Sequence, residues 1–281
     1  MDTFLLDTAL RAFLQEDLEH GDITTDAIFT DADMAQAAFV ARQPMTVVGL
    51  ETVVVRVLTM LGGRLPVFSS PVGDGTSVAA DTLLLTINGP VRTILRGERV
   101  ALNLLQRLCG IATLTQQYVA AVAGLDVRIV DTRKTTPGLR MLEKYAVRAG
   151  GGMNHRFSLS DGVLIKDNHI AACGSISEAV RKIRAAVPHT IAIEVETDTL
   201  EQVRECLDCG VAVIMLDNMD TTMMREAVAM IQGRALVEAS GGVNLSSVRA
   251  IAETGVDIIS VGALTHSAPA CDIGLDWLAA T

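Results

Sequence analysis

Between Asp131 and His169, in the stretch DTRKTTPGLRMLEKYAVRAGGGMNHRFSLSDGVLIKDNHI, seven Lys or Arg side chains stand against four carboxylates. That is a local excess of three positive charges in a chain whose formal net charge is −10. Positive charge gathered inside an acidic chain points to a pocket for a small anion, not to a nucleic-acid surface. Arg133, Lys134, His155, Arg156 and Lys166 are suited to a ligand with more than one carboxylate, because guanidinium forks bind carboxylates through paired hydrogen bonds. The plainer alternative is that these cations are spent on the surface or on Asp131, Asp161 and Asp167. Gly150, Gly151 and Gly152 precede Asn154–Arg156, where the backbone must turn sharply or approach something closely.

Three further groups carry chemistry. Glu196 and Asp217 offer hard oxygen ligands for Mg²⁺ or acceptors for ribose hydroxyls, and read otherwise as rim carboxylates. EASGGV (238–243) and SVGALTHS (260–267) are glycine-containing turns next to helix starts, a common way to bind phosphate through backbone N–H groups; Ser240, Gly241 and Gly262 lie in them. His169 and His266 are candidate proton donors or phosphate contacts, although a lone histidine is more often structural. Cys206 and Cys209 form a CxxC without a second pair, which reads as the last turn of a helix ending at Gly210 and not as a metal site. No Ser-His-Asp or Cys-His arrangement and no G-x-S-x-G elbow is present, which argues against a covalent hydrolase.

These residues need a scaffold that brings them together. From Gly124 onward short β-branched runs alternate with helical segments: VRIVD (127–131), VLIK (163–166), IAIEVE (191–196), VAVIMLD (211–217), ALVEAS (235–240) and VDIISVG (256–262). Alternation of this kind predicts parallel strands with crossover helices. Polar groups stand at the C-terminal ends of nearly all six, which favours a barrel mouth over the single switch point of an open sheet. Six strands are fewer than eight, so the barrel is expected to be incomplete. Upstream, Phe4–Leu18 has helical apolar spacing, and short strands around one helix between Ala35 and Asn88 suggest an α+β unit. A long helical stretch follows Gly89–Pro90, broken in character by Gly97 and Gly110. The bland reading of its Arg96, Arg99 and Arg107 is a solvated or salt-bridged face.

Composition agrees with a globular enzyme: 49% of residues are hydrophobic, 20% charged and 3% aromatic in 281 residues. The few aromatics argue against base-stacking platforms, and the acidic balance against phosphate-backbone binding. Neither a signal peptide nor a run long enough to span a membrane stands out, and five scattered cysteines suit reduced thiols, so a cytoplasmic location is expected.

The sequence closely resembles the quinolinate phosphoribosyltransferases. The likeness is carried by EDLEHGDITT (16–25), GERVALNLLQRLCGIAT (97–113), DTRKTTPGLRMLEKYAVRAGGGMNHR (131–156), LIKDNHI (164–170), EVET (194–197), MLDNM (215–219), EASGG (238–242) and VGALTHS (261–267). One departure is Ser158, at a position the family often gives to glycine. The resemblance implies an α/β fold, with an N-terminal α+β domain (1–115, including a dimer-facing helix around 90–115), an incomplete α/β barrel of about six strands (116–268), and a tail (269–281) packing back on the first domain. It implies transfer of phosphoribose from phosphoribosyl pyrophosphate to quinolinate with loss of CO₂, Mg²⁺ as cofactor, and a homodimer with shared sites. Arg133, His155, Arg156 and Lys166 would form the quinolinate cluster with Lys134, and Arg99 would come from the neighbouring subunit, which overturns its bland reading. Glu196 and Asp217 would meet the ribose and metal; Ser240, Gly241, Gly262 and His266 the 5′-phosphate. Lys134, Lys166, Glu196 and Asp217 would be the catalytic set. Alternatives are a relative acting on another aromatic acid, a Schiff-base lyase using Lys166, and a barrel serving only as an interaction protein.

Overall fold

The computed structural model describes residues 1–278, and the last three residues of the tail expected over 269–281 lie outside that range. The chain forms two compact units: residues 1–116, 136–151 and 268 onward in one, residues 117–135 and 152–267 in the other.

The first unit begins with the helix Thr3–Asp17, whose two N-terminal amides, on Phe4 and Leu5, donate to Asp2 Oδ1 and whose inner face buries Leu6, Leu10 and Leu14. Five strands follow: β1 (Met34–Ala41), β2 (Met45–Thr46), β3 (Val67–Ser69), β4 (Ser77–Val78) and β5 (Leu83–Pro90). β1, β3 and β5 pair antiparallel in one sheet, and β2 pairs with β4.

The helix Val91–Ala121 then runs unbroken through Gly97 and Gly110, correcting the expectation that these glycines interrupt it. They are points of close approach. A Cβ on Gly97 would lie 2.5 Å from Leu58 Cδ2, and one on Gly110 would lie 2.0 Å from the Pro269 carbonyl oxygen. The arginines of this helix divide. Arg96 and Arg92 both pair with Asp26, and Arg107 donates from Nη2 to Glu143 Oε1 at 2.7 Å, whereas Arg99 is exposed.

The contiguous division 1–115 and 116–268 differs from the structure at residues 136–151, which group with the first unit. The helix Arg140–Ala149 is held there by the Arg107–Glu143 pair, by a Tyr145 hydroxyl donating to Asp74, and by Gly150, whose added Cβ would lie 2.4 Å from the Ala112 carbonyl oxygen.

The second unit holds six parallel strands: β6 (Arg128–Val130), β7 (Val163–Ile165), β8 (Ile193–Thr197), β9 (Val213–Asp217), β10 (Leu236–Ser240) and β11 (Ile258–Ser260). Their order is β6-β11-β10-β9-β8-β7. β6 and β7 share no ladder, so the ring of strands is open between them. Helices 167–173, 176–186, 200–209, 221–231, 248–252 and 263–266 alternate with the strands. Their starts and stops are local. Ser175 accepts from Glu178 N, Thr199 and Gln202 form a capping box, Asp220 accepts from Thr222 N and Met223 N, and Gly210 ends its helix with φ 62°. β12 (Ile273–Leu278) returns to the first unit and pairs antiparallel with β1, Ala38 opposite Asp276.

Candidate active site

The site is a cavity of about 540 Å³ in the second unit. From the strands it takes Glu196 of β8, Met215 and Asp217 of β9, Glu238 and Ser240 of β10, Ser260 of β11, and Leu164 and Lys166 at the end of β7. The step of two residues along β7, β9 and β10 is the strand period: alternate side chains point to one face, and here that face carries the polar set. Register fixes the levels. Ser240 pairs with Asp217, and Glu238 and Glu196 both pair with Met215.

The rest comes from two loops. Thr132, Arg133 and Lys134 follow β6, while His155 and Arg156 follow the triple glycine. Asp131, fully buried, ties the loops together: its Oδ1 accepts from the His155 amide at 2.9 Å and its Oδ2 from Asn154 Nδ2 at 2.5 Å. Met153 makes a bridge beside Val130, with its amide donating to the Ile129 carbonyl at 2.9 Å. Glycine is needed where this segment turns, since Gly151 has φ 88°. At Ser158, by contrast, φ is not positive; its hydroxyl meets Ser160 and Asp161, so serine is accommodated without strain.

Arg156 donates from Nη1 to the Gly162 carbonyl at 2.7 Å. Burial first, and then the neighbouring Arg133 guanidinium, lower its pKa; Glu194 and Asp161 act the other way. Crowded, partly desolvated guanidinium groups favour an incoming anion. Lys166 Nζ lies 3.0 Å from Glu196 Oε2. Asp217 Oδ2 accepts from Asn218 Nδ2 at 2.8 Å, and Asn218 stands at φ 55° against Gly241, where a Cβ would fall 2.2 Å from its Oδ1. Gly241 itself has φ 93°, so the turn requires glycine twice over.

Of the residues singled out from sequence, the cavity brings together Arg133, Lys134, His155, Arg156, Lys166, Glu196, Asp217, Ser240 and Gly241. Gly262 and His266 are not in its lining. They adjoin Lys134, with a Cβ on Gly262 placed 3.0 Å from Lys134 Cδ, and His266 Nδ1 lies 2.6 Å from Ser267 Oγ. Arg99 belongs to the first unit. His169 lies outside the cavity lining, and its Nδ1 accepts from the Lys166 amide at 2.9 Å and closes the start of helix 167–173. The CxxC is the end of a helix, and burial raises the Cys206 thiol to about 12.

Sequence reading missed Asp131 as the loop anchor and Asn218 and Glu238 as cavity residues. Asn218 had a signal, since it directly follows a strand-end carboxylate. Glu238 had one too, two residues before Ser240 on the same face.

Glu196 and Asp217 are the cavity carboxylates whose chemistry suits a Mg²⁺ ion. They are hard oxygen donors of the kind Mg²⁺ takes, and Lys166 Nζ, 3.0 Å from Glu196 Oε2, is the cation that pairs with Glu196 in this structure. Among the described residues they do not form a group of three protein ligands, so remaining ligands would be oxygens of substrate or water.

The family model for the C-terminal domain of quinolinate phosphoribosyl transferase matches residues 111–276, and that for its N-terminal domain residues 22–109. The chain is 44% identical over 274 residues to the nicotinate-nucleotide pyrophosphorylase [carboxylating] of Mycobacterium leprae, covering 96% of both chains. It is similar to the crystal structure of NadC from Streptococcus pyogenes, with 42% identity, a TM-score of 0.94 and 99% of each chain covered. It is also similar to the nicotinate-nucleotide pyrophosphorylase of Ehrlichia chaffeensis, at 40% identity and TM-score 0.91, covering 96% of this chain and 97% of that one. With both domain models matched in order on a chain whose strand ends converge on one cation-lined cavity, this protein belongs to the quinolinate phosphoribosyl transferase family.

Proposed function

We propose that this chain is a nicotinate-nucleotide pyrophosphorylase (carboxylating) of NAD biosynthesis. It transfers phosphoribose from phosphoribosyl pyrophosphate to quinolinate and releases CO₂, leaving nicotinate mononucleotide and pyrophosphate. The observation that carries this reading is one cavity with Arg133, Lys134, Arg156 and Lys166 from two loops and a strand end, and Glu196, Asp217, Ser240 and Gly241 from the next strands.

Arg133, Lys134 and Arg156 hold the aromatic diacid, fixing the ring nitrogen toward the ribose C1, and His155 lines the pocket beside them. Ser240 and the backbone of the Gly241 turn bind the 5′-phosphate, and Glu196 and Asp217 take the ribose hydroxyls and the metal side. Mg²⁺ bound there with pyrophosphate oxygens would supply neutralising charge for the leaving group. Lys166, beside Glu196, adds a second positive charge where negative charge builds. Once the ring nitrogen is alkylated, the ring withdraws electrons, the adjacent carboxylate leaves as CO₂ and the ring carbon takes a proton. No protein nucleophile is required, and the relatives support phosphoribosyl transfer over the Schiff-base reading of Lys166.

A homodimer in which Arg99 reaches the neighbouring subunit's site is part of this reading; an exposed arginine within the segment GERVALNLLQRLCGIAT supports it. Cytoplasmic placement is supported by five free thiols; no helix among the described residues is long and apolar enough to cross a membrane.

The test is release of labelled CO₂ from quinolinate. Release that depends on phosphoribosyl pyrophosphate and Mg²⁺ is expected. Faster turnover with nicotinate than with quinolinate would instead identify a relative acting on another aromatic acid.

A further inference from the structure

Beneath the cation cluster lies a group that the mechanism above leaves unused. Glu238 lines the cavity yet is only 2% exposed, and its Oε1 has no hydrogen-bond partner. It belongs to a buried trio. His155 Nε2 lies 3.1 Å from Glu194 Oε2 and 3.6 Å from Glu238 Oε1, and Glu194 is itself 8% exposed.

The ring's other nitrogen decides how protons are shared. His155 Nδ1 accepts from the Arg156 amide at 2.8 Å, so in the neutral ring the proton sits on Nε2, pointed at the two carboxylates. The N–H thus reaches Glu194 and leaves Glu238 Oε1 without a hydrogen bond, and two like charges this close cannot both be carried cheaply. The trio has the atoms of a metal site, since its ligand atoms lie within 4.8 Å of one another. The same Arg156 contact argues against that use, because a metal on Nε2 would require a ring with both protons removed.

The groups around Glu238 are few. β8 presents Glu194, β9 presents the apolar Met215 in register, β11 presents Ser260, β6 presents Arg128, and the loop after Gly152 presents His155 and Arg156; Lys166 and Glu196 stand at the cavity rim. Burial first and the Glu194 carboxylate second push the Glu238 carboxyl up to about 7, against smaller opposing effects of His155, Ser260 and Arg128.

We propose that Glu238 holds a proton under the cavity and that the diacid binds only to this protonated form, so that quinolinate binding draws a proton from solvent whenever Glu238 has lost it. The balance is simple: ionised Glu238, one proton from buffer and the quinolinate dianion give a complex containing the neutral acid. A second negative charge beneath the dianion would offset the attraction of the arginines, and at a carboxylate only 2% exposed that repulsion is little screened. Glu238 is thereby a specificity-determining group for a doubly charged ligand. The proposal rests on the quinolinate reading of the cavity.

Calorimetric titration of quinolinate into the full chain, in buffers of different ionisation enthalpy from about pH 6 to about pH 9, reads the protons taken up. Uptake should rise from near zero toward about one proton per site, and Kd should increase by roughly tenfold per pH step above the midpoint of the free protein. Glu238→Gln should abolish both the uptake and the slope, and Glu238→Asp should restore them. Should Glu238→Gln fail to fold, infrared difference spectra of the wild-type chain decide. Adding quinolinate at the alkaline end should produce the band of a protonated carboxyl, which histidine cannot give. Binding without proton uptake, uptake unchanged in Glu238→Gln, or no carboxyl band would overturn the proposal and leave the function intact. No binding at any pH would instead remove the quinolinate reading itself.

Discussion

The arginines of the two units are used in opposite ways. In the first unit Arg92 and Arg96 converge on Asp26, and Arg107 meets the fully buried Glu143, so positive charge is matched by the chain's own carboxylates. In the second unit Arg133 stands close enough to Arg156 to lower its pKa, although Glu194 and Asp161 act the other way, and both guanidinium groups line an open cavity. The lesson is that charge count does not separate structural from binding arginines. What separates them is whether the guanidinium groups also crowd one another around open space.

The largest effect that would test this comparison is on stability. Glu143→Ala leaves Arg107 without its buried acid, and removing one partner of a buried pair costs roughly 3–5 kcal/mol. Thermal unfolding should shift down by roughly 10 °C. An unchanged Tm would show that the first unit's pair is not structural. Next is the cavity. Arg156→Lys keeps the charge and loses the fork, and losing one or two charged hydrogen bonds of about 1.5–3 kcal/mol should raise KM for quinolinate by roughly 10–100-fold with little change in Tm. A large Tm drop with unchanged KM would place Arg156 with the structural arginines.

Arg99 is the residue that crosses the comparison, being on the first unit but proposed to bind. If it acts on a neighbouring subunit, mixing inactive Arg99→Ala and Lys166→Ala chains should restore about a quarter of wild-type activity, since half of the dimers would be mixed and each would carry one intact site. Activity no higher than that of either parent would remove Arg99 from the site.

Much of the scaffold was legible because its signals are local. VRIVD, VLIK, IAIEVE, VAVIMLD, ALVEAS and VDIISVG each overlap one of the six parallel strands, with ends shifted by a residue or two, since a β-branched run between polar caps names itself. Gly97 and Gly110 misled because glycine lowers helix propensity, whereas here the helix is fixed by what packs against it: Leu58 at one glycine and Pro269 at the other. That the His169 ring closes a helix start was not legible in the sequence, because it depends on where its Nδ1 meets the Lys166 amide.

The sequence by itself determined which side chains stand at the strand ends, and therefore that cations, carboxylates and glycine turns would share one mouth: strand parity and chain order are properties of the chain alone. Tertiary structure decided which partners meet. Asp131 reaches the amide of residue 155, Glu238 joins Glu194 around one imidazole, and residues 136–151 group with the first unit and not with the strands that flank them in sequence. Each of these depends on register and packing between segments far apart in the chain, and long-range distances are not encoded in local pattern.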